Sequence, residues 1–283
     1  MELIKKVALM AKEEREIKSS RPAILLVPTM GYFHEGHLSL FRAARKRRGR
    51  LVVSIFVNPL QFCPGEDFKE YPRDLEMDLA LAEKEGVETV FAPDAEDIYS
   101  GDFAVTVKAG PLGMRLCGAS RPGHFDGVCT VVAKLFNIIQ PDVAFFGRKD
   151  YQQLLVIRRM AEDLNFAVEI AGMPTIRDGD GLASSSRNIC LSPEEREQAR
   201  SLFQGIKLAR RLYRKGERRP AVIEQEVARL IRAQPRTKID YVKVCHGQSL
   251  EEVERVDKGT LLALAVFVGK TRLIDNCIFG EEE

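Results

Sequence analysis

Residues 24–41 read ILLVPTMGYFHEGHLSLF. The apolar run Ile24 to Val27 has the character of a buried strand. Pro28 and Gly31 stop it, and an apolar-periodic segment opens at His37. Strand, tight turn and helix start therefore follow one another within about 18 residues. His34 and His37, with Gly36 between them, fall where the helix begins. The first amides of a helix have no intrahelical partner and the dipole is positive there, so such an end attracts anions. Imidazoles add donors for phosphate oxygens. The spacing is one residue short of HExxH, so a zinc protease is not indicated.

The same alternation continues outward. Strands are expected over 23–28, 51–57, 87–92, 142–146 and 167–171, and helices over 37–47, 73–85, 126–139 and 151–164. Gly86 suits the C-cap of the second helix. Uniformly apolar strands alternating with helices predict an α/β fold, a Rossmann-like parallel sheet with helices on both faces. Ligands in such sheets lie at the carboxyl ends of the strands. The His34/His37 turn, Val57–Phe62 and Phe146–Asp150 each follow a strand directly and should converge there. Beyond residue 176 the pattern changes. RDGDGLASSSRNIC, residues 177–190, reads as a polar loop or hinge. Ser192, Pro193 and Glu195 form a capping signature for a helix to about residue 215. A second helix is expected near 221–233, then strands over 239–245, 261–268 and 272–279, with a tight turn at Gly269-Lys270. The expected division is 1–176, a Rossmann-like domain, and 177–283, a smaller C-terminal α+β lid domain that hinges over the crevice.

Length and composition agree with this reading. A chain of 283 residues with 45% apolar content can bury a sizeable core. A net charge of +2 does not imply long-range attraction to nucleic acid. No apolar run is long enough for a membrane span. Six cysteines with no CxxC make a zinc or redox motif unlooked-for, and reduced thiols in the cytoplasm are expected. The basic run 42–50, RAARKRRGR, has no interleaved aromatic residue and reads as a solvated helix face.

Other segments carry chemistry only in combination. Asn58 and Gln61, after the second strand, offer amides to a small polar ligand, although Asn-Pro is also an ordinary turn. Gly147 permits close backbone approach, Lys149 offers a phosphate contact, and Asp150 could hold ribose hydroxyls or magnesium. Gln153 lies one helical turn further along. Ser184, Ser185, Ser186 and Arg187 could hold pyrophosphate or form a serine linker. Arg121 and His124 flank a turn before a helix. Neither GxxxxGK[ST] nor GxGxxG occurs.

Taken in order, PTMGYFHEGHLSL, SIFVNPLQF with DFKEYPRDLEMD, CGASRPGHFDGV, and FGRKDYQQ with IRDGDGLASSSRN resemble the pantothenate synthetase (pantoate–β-alanine ligase) family, across most of the chain. HEGH resembles the HIGH-type element of the nucleotidyltransferase superfamily, and SSSR a variant of its second phosphate loop. The resemblance implies ATP-dependent condensation of pantoate with β-alanine, through pantoyl adenylate, to pantothenate, AMP and pyrophosphate. It also implies magnesium with the ATP, a cytoplasmic homodimer, and no nucleic-acid or membrane partner. By resemblance His34 is the proton donor, and His37 and Lys149 complete the catalytic set. The first ATP segment is then Met30, Gly31, Tyr32, Phe33, His34, Glu35, Gly36 and His37. The second is Gly147, Arg148, Lys149 and Asp150. Ile176, Ser184, Ser185, Ser186 and Arg187 complete the nucleotide contacts. Gln61 and Gln153 match pantoate positions, Gln61 also lying near β-alanine. Asn58, Tyr71, Arg121 and His124 are candidates for the pocket wall. Ser184 stands where the family usually has Met, Phe33 where Leu is common, Cys63 where Gly is common, and Arg148 where Glu or Gln is common. None of these removes a group the chemistry requires.

Overall fold

The computed structural model describes residues 1–16, 22–66 and 68–281. In chain order the elements are β1 (Glu2–Ile4), α1 (Val7–Glu16), β2 (Ile24–Thr29), α2 (Glu35–Arg45), β3 (Arg50–Ile55), α3 (Leu75–Lys84), β4 (Thr89–Phe91), α4 (Ala95–Ile98), α5 (Cys117–Ser120), α6 (His124–Ile139), β5 (Val143–Gly147), α7 (Tyr151–Asp163) and β6 (Glu169–Met173). Then follow α8 (Pro193–Ala199), α9 (Ser201–Arg214), α10 (Pro220–Arg232), β7 (Thr237–His246), β8 (Thr260–Val268) and β9 (Thr271–Ile278). Short 3-10 turns at Pro59–Gln61, Arg148–Asp150 and Ser186–Cys190 sit where the sequence places its candidate motifs.

The chain forms two compact units. The first holds Met1–Gly113, Arg121–Arg148 and Gln153–Met173; the second holds Met114–Ser120, Lys149–Gln152 and Pro174–Glu283. In the first, six strands pair in parallel in the order β1-β4-β3-β2-β5-β6. Side chains alternate across a strand. Leu25, Val27, Leu51, Val53, Val143 and Phe145 accordingly share a core with Phe41 and Ala44 of α2 and Ala82 of α3. The alternate residues Leu26, Val52 and Ala144 are just as buried, and α6 lies against β2. Burial on both faces is why these strands read as unbroken apolar runs. The chain runs from β2 outward through β3 to β4, then returns to add β5 and β6 on the other side of β2. The order reverses between β2 and β5, and that is where doubly wound sheets bind ligands.

The second unit is an antiparallel meander, β7-β8-β9, packed against α9 and α10. Ile206, Ala209, Val227 and Ile231 of the helices meet Leu262, Leu264 and Val266 of β8 in its core. Gly269 has φ +58° at the two-residue turn between Val268 and Thr271, as a tight hairpin requires.

Some boundaries differ from expectation. The first helix begins at Glu35 rather than His37, because His34 itself caps it. The strand expected over 51–57 stops at Ile55, where the chain turns into the Pro59–Gln61 turn. The helix expected from Pro193 to about residue 215 is divided at Arg200, whose backbone stays helical, so the division is one residue deep. β1 is unanticipated: three residues, of which only Ile4 is buried, carry no readable period.

Candidate active site

The β2–α2 turn is held by its own neighbours. Thr29 Oγ1 donates to Ser54 O at 2.7 Å and accepts from Gly31 N at 3.1 Å. Gly31 (φ +81°) and Tyr32 (φ +54°) are both left-handed. The Asp78 carboxylate of α3 accepts from Tyr32 N at 2.8 Å and Phe33 N at 2.6 Å. A Cβ at residue 31 would lie 2.8 Å from Asp78 Oδ2, so the turn needs glycine for space as well as for φ. Burial raises the Asp78 carboxyl above its ordinary range, and the two amides oppose that rise. Sequence reasoning passed over Asp78. Its signal was an acid four residues before Ala82, on the buried face of an otherwise ordinary helix.

Past this turn the two histidines form a reciprocal cap. His34 Nδ1 accepts from Gly36 N at 3.1 Å, and His37 Nδ1 accepts from His34 N at 3.4 Å. Each ring, when neutral, therefore carries its proton on Nε2. The ring centroids are 4.1 Å apart. Phe33 packs on His37 at 5.5 Å and edge-on to Phe41 at 5.1 Å, which fixes His37 from behind. Glu35 pairs with Arg42, so its carboxylate is engaged along the helix.

The tip of β3 lies beside this turn. Asn58, 1% exposed, accepts from Tyr99 Oη at 2.8 Å and donates to Gly127 O at 3.0 Å and Gln61 Oε1 at 3.2 Å. Gln61 Nε2 lies 2.9 Å from Met30 Sδ, which brings the second motif against the first. A Cβ at Gly127 would fall 2.2 Å from Leu60 O, so α6 reaches this turn only through a glycine. His124 lies between Arg121 and Gln61: Arg121 donates to Nε2 at 3.0 Å, so Nδ1 carries the proton and donates to Gln61 O at 2.7 Å. Arg121 also pairs with Glu66, whose carboxyl falls below its usual range because this guanidinium outweighs the cost of burial. Burial and the nearby Glu66 push the Cys63 thiol up. Tyr71 is buried against Phe62, with ring centroids 5.9 Å apart.

Gly147 ends β5. From the pairing Leu25↔Val143, it is level with Thr29 at the same carboxyl edge of the sheet. In the second unit, the Lys149 side chain is 20% exposed and its ammonium lies 3.8 Å from Asp150. Gln153 is half-buried; its neighbour Gln152 is buried and bonded to Cys117 N at 3.0 Å and Arg115 O at 2.7 Å. The serine loop is folded rather than a linker. Arg177 and Ala183 form a bridge, Ser184 N donates to Ile176 O at 2.9 Å, and Ser185 caps the turn carrying Arg187. Ser184, 5% exposed, donates its hydroxyl to Asp178. Asp178 also accepts from Arg196 at 2.8 Å and Asn188 at 3.3 Å. The sequence pattern had not singled out Asp178 or Arg196.

The pantoate–β-alanine ligase family model matches residues 2–278. The chain belongs to that family. It is 53% identical over its full length to a pantothenate synthetase of Geobacter sulfurreducens, itself covered in full. It is 51% identical over 280 residues to one from Thermotoga petrophila, covering 99% of this chain and 100% of that one. A pantothenate synthetase structure from Thermus thermophilus superposes with a TM-score of 0.93 at 44% identity, over 98% of this chain and 99% of that one. A pantoate–β-alanine ligase from Francisella tularensis, solved with β,γ-ATP and β-alanine, gives a TM-score of 0.82 at 29% identity, over 98% and 97% of the two chains.

Proposed function

We propose that this protein condenses pantoate with β-alanine at the expense of ATP, in two steps. A pantoate carboxylate oxygen attacks the α-phosphorus, and the bond to the β-phosphate oxygen breaks, releasing pyrophosphate. The neutral β-alanine amine then attacks the acyl carbon. The acyl–phosphate ester bond breaks, AMP leaves, and the amine proton passes to AMP or solvent.

The observation that carries this reading is the meeting of the His34/His37 turn, Met30 and Gln61, with Gly147 level with them at the switch point between β2 and β5. His34 and His37, protonated on Nε2, donate to phosphate oxygens as charge moves onto the leaving group. This is electrostatic stabilisation by donors whose orientation is set beforehand. Gln61 and Gln153 orient pantoate. Lys149 and the Ser185–Arg187 turn hold the polyphosphate. Ser184 takes part through loop shape, because its hydroxyl is bonded to Asp178. Asp150, partly exposed, would hold magnesium together with substrate phosphates, since that ion is usually bound by one or two carboxylates plus such oxygens. There it would neutralise phosphate charge.

The test is AMP formation with ATP, pantoate and β-alanine, each omitted in turn. Omission of any one should abolish it. Exchange of labelled pyrophosphate into ATP should need pantoate and not β-alanine. Exchange without pantoate would point to a nucleotidyl transfer onto another acceptor, and absence of all turnover to a nucleotide-binding protein. A homodimer belongs to the same proposal, and light scattering on the purified chain tests it.

A further inference from the structure

Two adjacent residues of β9 stand outside every motif named so far. Asp275 is 2% exposed. Arg177 grips it with both guanidinium nitrogens, at 2.7 and 3.2 Å. Arg177 begins the serine loop, donates to Gly181 O at 3.3 Å, and stacks 4.1 Å from the centroid of Phe203. The next residue, Asn276, turns to the opposite face and donates Nδ2 to Lys149 O at 2.8 Å. The Asn276 amide closes on Asp275 Oδ1 at 2.9 Å, which links the two anchors. The base of one phosphate-binding segment and the backbone of the other thus hang from a single dipeptide in a paired strand.

A buried carboxylate is a poor way to stabilise a fold. Apolar residues of similar volume often serve as well, whereas a fixed ion pair specifies geometry. Burial raises the Asp275 carboxyl, and the hydrogen bonds and charge of Arg177 oppose the rise.

We infer that Asp275 and Asn276 are positioning residues that set the spacing between Lys149 and the serine loop, and so the fit of the ATP polyphosphate. This rests on the reading of Lys149 given above. Neither residue needs to touch substrate.

The test is a double-mutant cycle between Asn276→Leu and Lys149→Ala, measured as AMP formation with saturating pantoate and β-alanine and varied ATP. Asn276→Leu, of similar volume, should lower kcat/KM for ATP by about 10- to 100-fold, as a small misplacement does. The KM for pantoate should stay at the wild-type level. Because Asn276 acts through Lys149, adding Asn276→Leu to Lys149→Ala should cause no further loss. Additive losses, or an equal rise in both KM values, would overturn the inference. If the leucine variant does not fold, Asn276→Ser replaces it in the same cycle. A Lys149→Ala variant as active as wild type would remove the reading of Lys149 and the inference together. A wild-type protein without turnover would instead remove the proposed function.

Discussion

His34 carries two duties that can be separated. Its Nδ1 caps α2, and its Nε2–H is the donor assigned to the phosphates. Asparagine is among the best N-caps, whereas alanine forfeits about 1 kcal/mol at such a position. His34→Asn should therefore keep thermal stability close to wild type while AMP formation falls about 10²- to 10³-fold, the usual cost of one such donor. His34→Ala should lose both. An asparagine variant with wild-type turnover would remove His34 from the chemistry. The histidines were legible because two imidazoles in a strand–turn–helix junction form a local pattern. Asp78 was not, although it holds the same turn. Its partners, the amides of Tyr32 and Phe33, are 46 and 45 residues away along the chain, and nothing local pairs them.

At the scale of elements, helices and strands declared themselves by period, and the contacts between them did not. Gly127 on α6 shows the difference. Within a helix, Gly→Ala ordinarily gains about 1 kcal/mol. Here the new Cβ would sit 2.2 Å from Leu60 O, a backbone atom that cannot swing aside. The clash decides: overpacking of this kind costs about 1–3 kcal/mol. Because the displaced turn carries Asn58 and Gln61, Gly127→Ala should raise the KM for pantoate more than that for ATP. Unchanged constants for both would show that the turn is not part of the pantoate pocket. The serine loop was legible as polar and glycine-rich, yet its order was not, because order comes from Asp178 and Arg196. Partial burial works to raise the Asp178 carboxyl, but Ser184, Arg196 and Asn188 outweigh it, so it titrates below the usual carboxylate range. With the folded pKa depressed, the unfolded chain takes up the proton first. The contribution to stability is present above the unfolded value of about 3.9 and is lost as pH falls through the lower folded value. Asp178→Asn should therefore be less stable than wild type in urea at pH 7, with the difference narrowing as pH falls below about 4. A gap independent of pH would mean that the carboxylate charge contributes nothing.

For the molecule as a whole, the strand order explains why a local motif was enough to read the fold. A single parallel sheet reversing direction beside β2 has one switch point, and the residues quoted at the outset form its first tip. The cores lie beyond such reading, because they are set by which faces meet. Among the described residues, one core is built from residues between Leu25 and Phe145, with partly buried neighbours as far as Met173, and another runs from Leu182 to Phe279. They share no residue. Proteins with separate cores open in cooperative units whose stabilities differ. Phe41 and Ile206 are each fully buried, one in each core. Phe41→Ala should remove about 3–5 kcal/mol and Ile206→Ala about 2–5 kcal/mol of stability where they act. Native-state hydrogen exchange on the ligand-free protein should then show Phe41→Ala lowering protection through β2, β3 and β5 and sparing β7 to β9, and Ile206→Ala doing the reverse. Equal losses in both sheets from either substitution would mean that the chain unfolds as one body, and that the two cores, though distinct in composition, are energetically a single one.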